Sequence, residues 1–146
     1  MRISAKARYA LAAMADMARQ HTNGEAVTVI SISEKLGISK FYLEQVFSLL
    51  RRGGLVSSVK GAAGGYLLTR APDRISALDV LMAVEFSLFE DSEATVQDKA
   101  PQMGAAMHSL VFRPLDASVR EALARASLED IVNEMERDNQ DYMFFI

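Results

Sequence analysis

The 146-residue chain contains no cysteine, and none of its apolar runs is long. Without cysteine it has no disulfide and no thiolate to act as nucleophile or metal ligand, which favours a cytoplasmic location. A membrane-spanning helix needs roughly 18 or more apolar residues, and no run approaches that length. The charged opening segment predicts an amphipathic helix rather than an export signal. We therefore expect a cytoplasmic protein with one modest core.

Motifs of catalysis are also missing. Neither histidine, His21 or His108, has a serine or carboxylate neighbour at a telling spacing, and no phosphate-binding glycine loop is present. His21 marks the end of the first predicted helix, where a cation favours the helix dipole. We therefore expect a protein that is not an enzyme, with no catalytic residue and no metal site.

Charge is distributed unevenly along the chain. Residues 1–74 hold 11 lysines and arginines against 5 acidic residues, whereas 75–146 hold 5 against 14. A basic half joined to an acidic half suggests a nucleic-acid-binding face and an unrelated second module. Two solvated surfaces of opposite sign are the simpler alternative.

Apolar spacing predicts three helices in the basic half, at about 5–20, 29–35 and 40–52. In the third helix a buried stripe is expected to leave a polar face outward. Ser39 is a good N-cap for this helix, and Gly37 can adopt the positive φ of the preceding turn. The stripe consists of Leu43, Val46, Phe47 and Leu50.

A β-hairpin and a buried helix are predicted next. Two β-prone runs, 55–60 and 66–69, flank a loop rich in glycine. Ser76 with Asp79 three residues later predicts a capping box, and the helix that follows is apolar on nearly every side.

The remaining chain predicts an acidic loop at 87–104, helices over 105–136 and a tail at 137–146. Pro114 should start or kink a helix, because proline has no N–H to donate. Ser127 with Asp130 predicts the cap of a last short helix. A stripe suited to dimerisation contains Leu115, Val119 and Leu123.

This order of elements is that of a winged helix-turn-helix, so the fold class is mainly α with a small β-hairpin. Residues 1–86 form the DNA-binding domain, and its third helix should enter the major groove. Glu44 could accept from a cytosine amine and Gln45 could pair with adenine, while Lys40 suits a phosphate. Taken singly, each feature is equally typical of an ordinary solvated surface.

The motifs that carry a resemblance are "MRISAKARYAL", "GISKFYLEQVFSLLRRGGLVSSVKGAAGGYLL" and "ISALDVLMAVE", with a later "SLEDIV". They resemble the Rrf2 family of bacterial winged-helix regulators, in which the hairpin reads "RG-x-x-GGY". Lys60 here takes the place of the usual arginine. The resemblance implies a homodimer, paired through a long helix near 110–126, that reads a palindromic site in double-stranded DNA.

The resemblance also implies which residues contact DNA. Base readers would be Glu44 and Gln45, and Lys60 would be the groove contact of the hairpin. The complete predicted set is Arg2, Lys6, Ser39, Lys40, Tyr42, Glu44, Gln45, Arg51, Lys60, Gly61, Gly64 and Gly65.

The chain departs from the family members that hold an iron–sulfur cluster, because a cluster needs cysteine ligands. It therefore resembles the cysteine-free branch, the cysteine metabolism repressors, and no cofactor is expected. Those repressors work with O-acetylserine thiol-lyase, and the resemblance makes the apolar tail a docking peptide for that enzyme. The tail residues are Tyr142, Met143, Phe144, Phe145 and Ile146. The alternative is that this tail packs on its own dimer.

We thus expect a repressor of cysteine and sulfur genes with the thiol-lyase as co-regulator. Two other functions stay open. A regulator of the same family could respond directly to a small effector in a pocket lined by Met103, Met107 and Phe112. A protein of another class would be an interaction module that modulates the thiol-lyase without binding DNA.

Overall fold

A computed structural model describes residues 3–89 and 95–144 of the chain. Its first part contains three helices, an antiparallel hairpin and a fourth helix, in the order of a winged helix-turn-helix, which confirms the predicted fold class. The elements of this part are α1 (Ala5–Arg19), α2 (Val29–Leu36), α3 (Lys40–Arg52), β1 (Val56–Val59), β2 (Gly65–Leu68) and α4 (Ala77–Val84), with 3₁₀ turns at His21–Asn23 and Pro72–Arg74. The second part contains α5 (Thr95–Lys99), α6 (Pro101–Met107), α7 (Arg113–Arg125) and α8 (Leu128–Phe144).

The core forms around the predicted stripe of α3. Leu43, Phe47 and Leu50 are completely buried, and Val46 is nearly so. α1 contacts α3, α4 and α8, and its buried side is made largely of alanines, which let neighbouring helices approach closely. α4 is less enclosed than predicted, because Met82 on its outer side stays exposed.

A side-chain cap begins each of the first four helices, and at α1 the Ser4 hydroxyl accepts from the amide of Ala7. The Ser39 hydroxyl accepts from the amide of Tyr42 at 3.4 Å, and Thr28 caps α2 in the same way. At α4 the reciprocal capping box of Ser76 and Asp79 is present. Gly37 ends α2 with φ of 68°, so the turn between α2 and α3 has the left-handed residue that it requires.

α1 and α2 are joined by a buried carboxylate that the sequence did not predict. Asp16 lies on α1 with only 4% of its side chain exposed. It accepts from Arg19 at 2.8 Å and from Gln20 at 2.9 Å, and Lys35 of α2 lies 3.3 Å away. Because a buried charge is tolerated only when it is paired, this cluster fixes how α2 sits on α1.

The hairpin is anchored to the body of the domain. β1 pairs with β2 in the register Val56 to Leu68 and Val59 to Gly65. Beyond this pairing, the backbones of Val27 and Tyr66 exchange two hydrogen bonds, of 2.9 and 2.8 Å. The segment that leads into α2 therefore serves as a third, short strand beside the hairpin.

The prediction of a loop over 87–104 is wrong for its second half, which is helical as α5 and α6. Pro101 starts α6 at the first helical position, where its missing N–H costs nothing. α6 then continues through a π-helical turn, His108–Phe112, directly into α7. The Arg113 amide donates to His108 in this turn, which sets the extra residue just before Pro114.

The last helix is longer than predicted. Ser127 and Asp130 exchange the two hydrogen bonds of a capping box, each 3.0 Å, as expected. α8 nevertheless continues to Phe144, because no glycine or proline interrupts the polar stretch after Met135. Phe145 and Ile146 lie outside the described residues, as do the side chains of Tyr142, Met143 and Phe144.

Within residues 3–89 and 95–144, no helix is both long enough and apolar enough to cross a membrane.

We expect Phe47→Ala to lower the free energy of unfolding by about 3–5 kcal/mol, because it opens a cavity beneath α3. Urea unfolding followed by circular dichroism would measure this. The matched control is Ser48→Ala, at the neighbouring exposed position of the same helix, for which a change below about 0.5 kcal/mol is expected. Equal effects of the two substitutions would contradict the burial assigned to Phe47.

Candidate nucleic-acid interface

Burial of one side of α3 determines which side chains face outward. The exposed positions Phe41, Glu44, Gln45 and Ser48 are three, four and seven residues apart, so they share one face of the helix. Glu44 and Gln45 are therefore presented together near the N-terminal end, as predicted. Phe41 on the same face was not predicted, although its apolar character outside the buried stripe was a visible signal.

The predicted phosphate contacts are at the start of α3. Lys40 is more than half exposed, and its Nζ lies 3.8 Å from Glu44 Oε1 one turn further on. An exposed pair of this kind contributes less than about 1 kcal/mol, so both side chains are free to exchange partners. Ser39 is exposed and uses its hydroxyl as the helix cap.

Tyr42 has a structural contact that the sequence did not indicate. Its ring meets that of Tyr9 edge to face, with centroids 5.4 Å apart and planes at 86°. Among the other predicted backbone contacts, Lys6 is half-buried on α1 and Arg51 is exposed in the last turn of α3. Arg2 lies outside the described residues. Tyr42 therefore holds α3 against α1, and its predicted contact with DNA stays a prediction.

The hairpin loop presents Lys60 to solvent beside Gly61. Gly61 has φ of 101° and open space around it. Gly64 and Gly65 are required by close packing within the protein. A Cβ on Gly64 would lie 2.4 Å from the carbonyl oxygen of Val59, and a Cβ on Gly65 would lie 2.5 Å from that of Val27. Their close contacts are thus made within the protein, whatever else approaches the hairpin.

The predicted dimerisation stripe on α7 is exposed at one end and buried at the other. Leu115 is 54% exposed, Val119 is half-buried, and Leu123 packs against the core of its own chain. The apolar exposure continues N-terminally through Leu110, which is 77% exposed, and Phe112. Leu110, Val111, Phe112 and Leu115 are called the apolar patch below.

The three residues predicted to line an effector site lie close together in the second part of the chain. Met103, Met107 and Phe112 all lie on the continuous helix from α6 to α7, and Met103 and Phe112 are exposed. A cleft does exist between α1 and α4, where the Ser4 hydroxyl donates to the Glu85 carboxylate. The small-effector alternative therefore stays a prediction.

Sequence comparison relates this chain to a family of known proteins. Residues 3–134 match the family described as "Rrf2: Iron-dependent Transcriptional regulator". The HTH-type transcriptional regulator CymR of Bacillus subtilis is 37% identical over the full length of both chains. The HTH-type transcriptional regulator IscR of Xenorhabdus nematophila is 41% identical over 97% of this chain and 87% of its own.

Solved structures agree with this comparison. The structure of CymR, titled the global cysteine regulator of B. subtilis, superposes with a TM-score of 0.68 at 32% identity, and covers 92% of this chain and 98% of its own. The relatives are named as transcriptional regulators and not as enzymes, in agreement with the expectation from the sequence.

We expect Gly65→Ala to cost at least about 2 kcal/mol of unfolding free energy, because its φ of 147° is combined with a clash against the Val27 carbonyl. Gly61→Ala is the matched control, since its positive φ is strained but the added methyl group meets nothing. It should cost about 1–2 kcal/mol. Urea denaturation compares the two, and a larger loss for the Gly61 variant would contradict the assigned packing.

Proposed function

Because the chain belongs to the Rrf2 family of DNA-binding transcriptional regulators, we propose that it is a sequence-specific repressor of cysteine and sulfur metabolism genes. It acts as a homodimer on DNA in the cytoplasm, with O-acetylserine thiol-lyase as co-regulator. The observation that carries the DNA-binding mode is the exposed pair Glu44 and Gln45, on the face of α3 opposite its buried stripe. No catalytic step is involved.

The chemistry of base reading follows from this face. In the major groove a carboxylate accepts from the cytosine N4 amine, and a carboxamide pairs in two places with adenine. Glu44 and Gln45 are adjacent in sequence and side by side on the helix, so they address neighbouring base pairs. Lys40 at the helix start and Lys60 on the hairpin supply the positive charges that phosphates require.

The homodimer rests on the apolar patch. Leu110, Val111, Phe112 and Leu115 are adjacent along one continuous helix and all are exposed. Exposed apolar side chains grouped in this way are typical of an interaction site. A twofold axis beside this helix would relate two copies of α3. This arrangement suits a palindrome with half-sites about 34 Å apart.

The family description names iron dependence, but an iron–sulfur cluster does not suit the residues present. Cluster iron is held by thiolates, and the sequence contains no cysteine. The part of the chain that the structure describes also holds no group of three histidine, aspartate or glutamate residues that could share a metal ion. We therefore propose that the signal reaches this regulator without a cofactor.

The sulfur assignment is supported by the full-length similarity to CymR, whose structure is titled the global cysteine regulator. IscR proteins are similar to a comparable degree, so the absence of cysteine is what favours the first assignment. The tail Tyr142, Met143, Phe144, Phe145 and Ile146 is the proposed docking peptide. Because α8 extends to Phe144, docking in an extended form would unwind the last helical turn, which terminal turns do at little cost.

The DNA-binding mode predicts different effects for two substitutions. Gln45→Ala should weaken binding to the preferred site by roughly 5- to 150-fold, with little effect on unrelated DNA. Lys60→Ala should weaken binding to both and should reduce the slope of log affinity against log salt by about one per protomer. Fluorescence anisotropy at several salt concentrations measures both effects.

The matched control is Lys99→Ala, which removes an exposed lysine from α5 instead of the hairpin. It should leave affinity and salt slope close to those of the unaltered protein. A Lys60 variant that behaved like the Lys99 variant would remove the hairpin from the interface. Wild-type protein without any salt-sensitive DNA binding would instead favour the interaction-module alternative.

The docking proposal predicts that the intact protein binds O-acetylserine thiol-lyase and that a variant ending at Asp141 does not, as measured by calorimetric titration. Each apolar side chain buried in the enzyme contributes roughly 1.5–3 kcal/mol before ordering costs. A full-length variant with Phe144→Ser and Phe145→Ser is the control, because it keeps the length of the tail but removes two of its apolar side chains. It should also lose binding.

If the serine variant bound as well as the intact protein, burial of these apolar side chains in the enzyme would be wrong. If the intact protein did not bind and truncation at Asp141 lowered the melting temperature, the tail would pack on its own dimer. The sulfur assignment would then lose its support from the tail.

A further inference from the structure

Phe41 is an aromatic side chain in an unusual position. It is the second residue of α3 and is 71% exposed, more than Phe86 or Phe112. Burial of a phenylalanine contributes roughly 1.5–3 kcal/mol, and the folded chain leaves most of that unused here. The residues beside it are held elsewhere, since Tyr42 packs on Tyr9 and Leu43 is completely buried.

Helical spacing places Phe41 on the exposed face of α3 that carries Glu44 and Gln45. Glu44 and Gln45 follow it by three and four residues, so its side chain stands one turn N-terminal to theirs on the same side of α3. Residues near the N-terminus of a recognition helix are those that reach base edges. Phe41 therefore enters the major groove together with Glu44 and Gln45.

We propose that Phe41 reads a thymine by packing against its C5-methyl group, and so adds a third specified base pair to each half-site. This inference rests on the proposed DNA-binding function. The thymine methyl is the only apolar group that an unmodified base pair displays in the major groove, and every other edge presents a polar atom. A phenyl ring cannot hydrogen-bond those polar atoms, so it desolvates them at a cost and favours thymine.

The position of this thymine follows from helix and duplex dimensions. Three to four residues along α3 span about 4.5–6 Å, and stacked base pairs are about 3.4 Å apart. The thymine read by Phe41 should therefore lie one or two base pairs from those read by Glu44 and Gln45. It lies on the side of the half-site that faces the N-terminus of α3.

The test starts from the preferred site of the unaltered protein, selected from randomised DNA. Each thymine of one half-site is then replaced singly by deoxyuridine, which lacks only the methyl group. For one thymine, the unaltered protein should bind the deoxyuridine duplex roughly three- to fivefold more weakly, the effect of one buried methyl group. Binding is measured by fluorescence anisotropy.

The same duplexes are then titrated with Phe41→Ala and with Ser48→Ala, a matched change at an exposed position of the same face. Phe41→Ala should bind the thymine and deoxyuridine duplexes equally, whereas Ser48→Ala should keep the three- to fivefold difference. Because Phe41 is exposed, the Phe41→Ala variant should keep its fold, which circular dichroism checks.

Three results would overturn the proposal. They are the absence of any thymine whose methyl group matters, a methyl effect that persists in Phe41→Ala, and an unchanged affinity of Phe41→Ala for the selected site. If the selection enriched no sequence, the proposed function would fail together with this inference. If a sequence were enriched without a thymine contact by Phe41, only the inference would fail.

Discussion

Packing of Phe47 is the interaction on which the rest of the DNA-binding domain depends. The side chain is completely buried beneath α3, and its ring lies against that of Tyr66 in β2, with centroids 4.7 Å apart. Tyr66 in turn pairs through its backbone with Val27, just before α2. This aromatic contact thus links α3, the hairpin and the segment that leads into α2. The face of α3 and the position of Lys60 are therefore set together and not separately.

A second constraint connects this domain to the C-terminal helices. The backbones of Ser76 and Ser127 pair side by side, through bonds of 2.8 Å from Ala77 to Ala126 and 2.9 Å from Leu128 to Ile75. Each serine also begins a helix with its own capping box. Because the starts of α4 and α8 are joined in this way, α8 cannot shift without moving α4. In the proposed dimer, this pairing would couple a movement of the C-terminal end of α8 to the distance between the two copies of α3.

The local features of the fold could be predicted from the sequence, because they depend on residues within a few positions of one another. The stripe of α3, the caps at Ser39, Ser76 and Ser127 and the turn at Gly37 are of this kind. The pairing of Asp16 with Lys35 could not be predicted, since nothing local indicates a contact between residues 19 apart. The helices at 95–107 were missed because acidic composition was interpreted as loop, although Pro101 is a good helix start.

Of the candidate site, charge and hydrogen-bonding groups were predicted and exposed apolar groups were not. Glu44, Gln45 and Lys60 are exposed where the motif placed them. The position of Phe41 outside the stripe of Leu43 and Phe47 was a signal that it faces outward, but an apolar side chain was not considered among the groups that contact DNA.

The opposite charges of the two halves add a reason why α3 and the hairpin should approach DNA first. Residues 1–74 carry the excess of lysine and arginine, and 75–146 carry the excess of acid. At physiological salt an exposed charge acts over about 8 Å, so the acidic helix α8 repels a duplex only when the duplex approaches the surface of that helix. Attraction on one side and repulsion on the other orient the encounter before any base is read. The acidic half thus contributes to the DNA-binding mode without contacting DNA, by making the other orientations unfavourable.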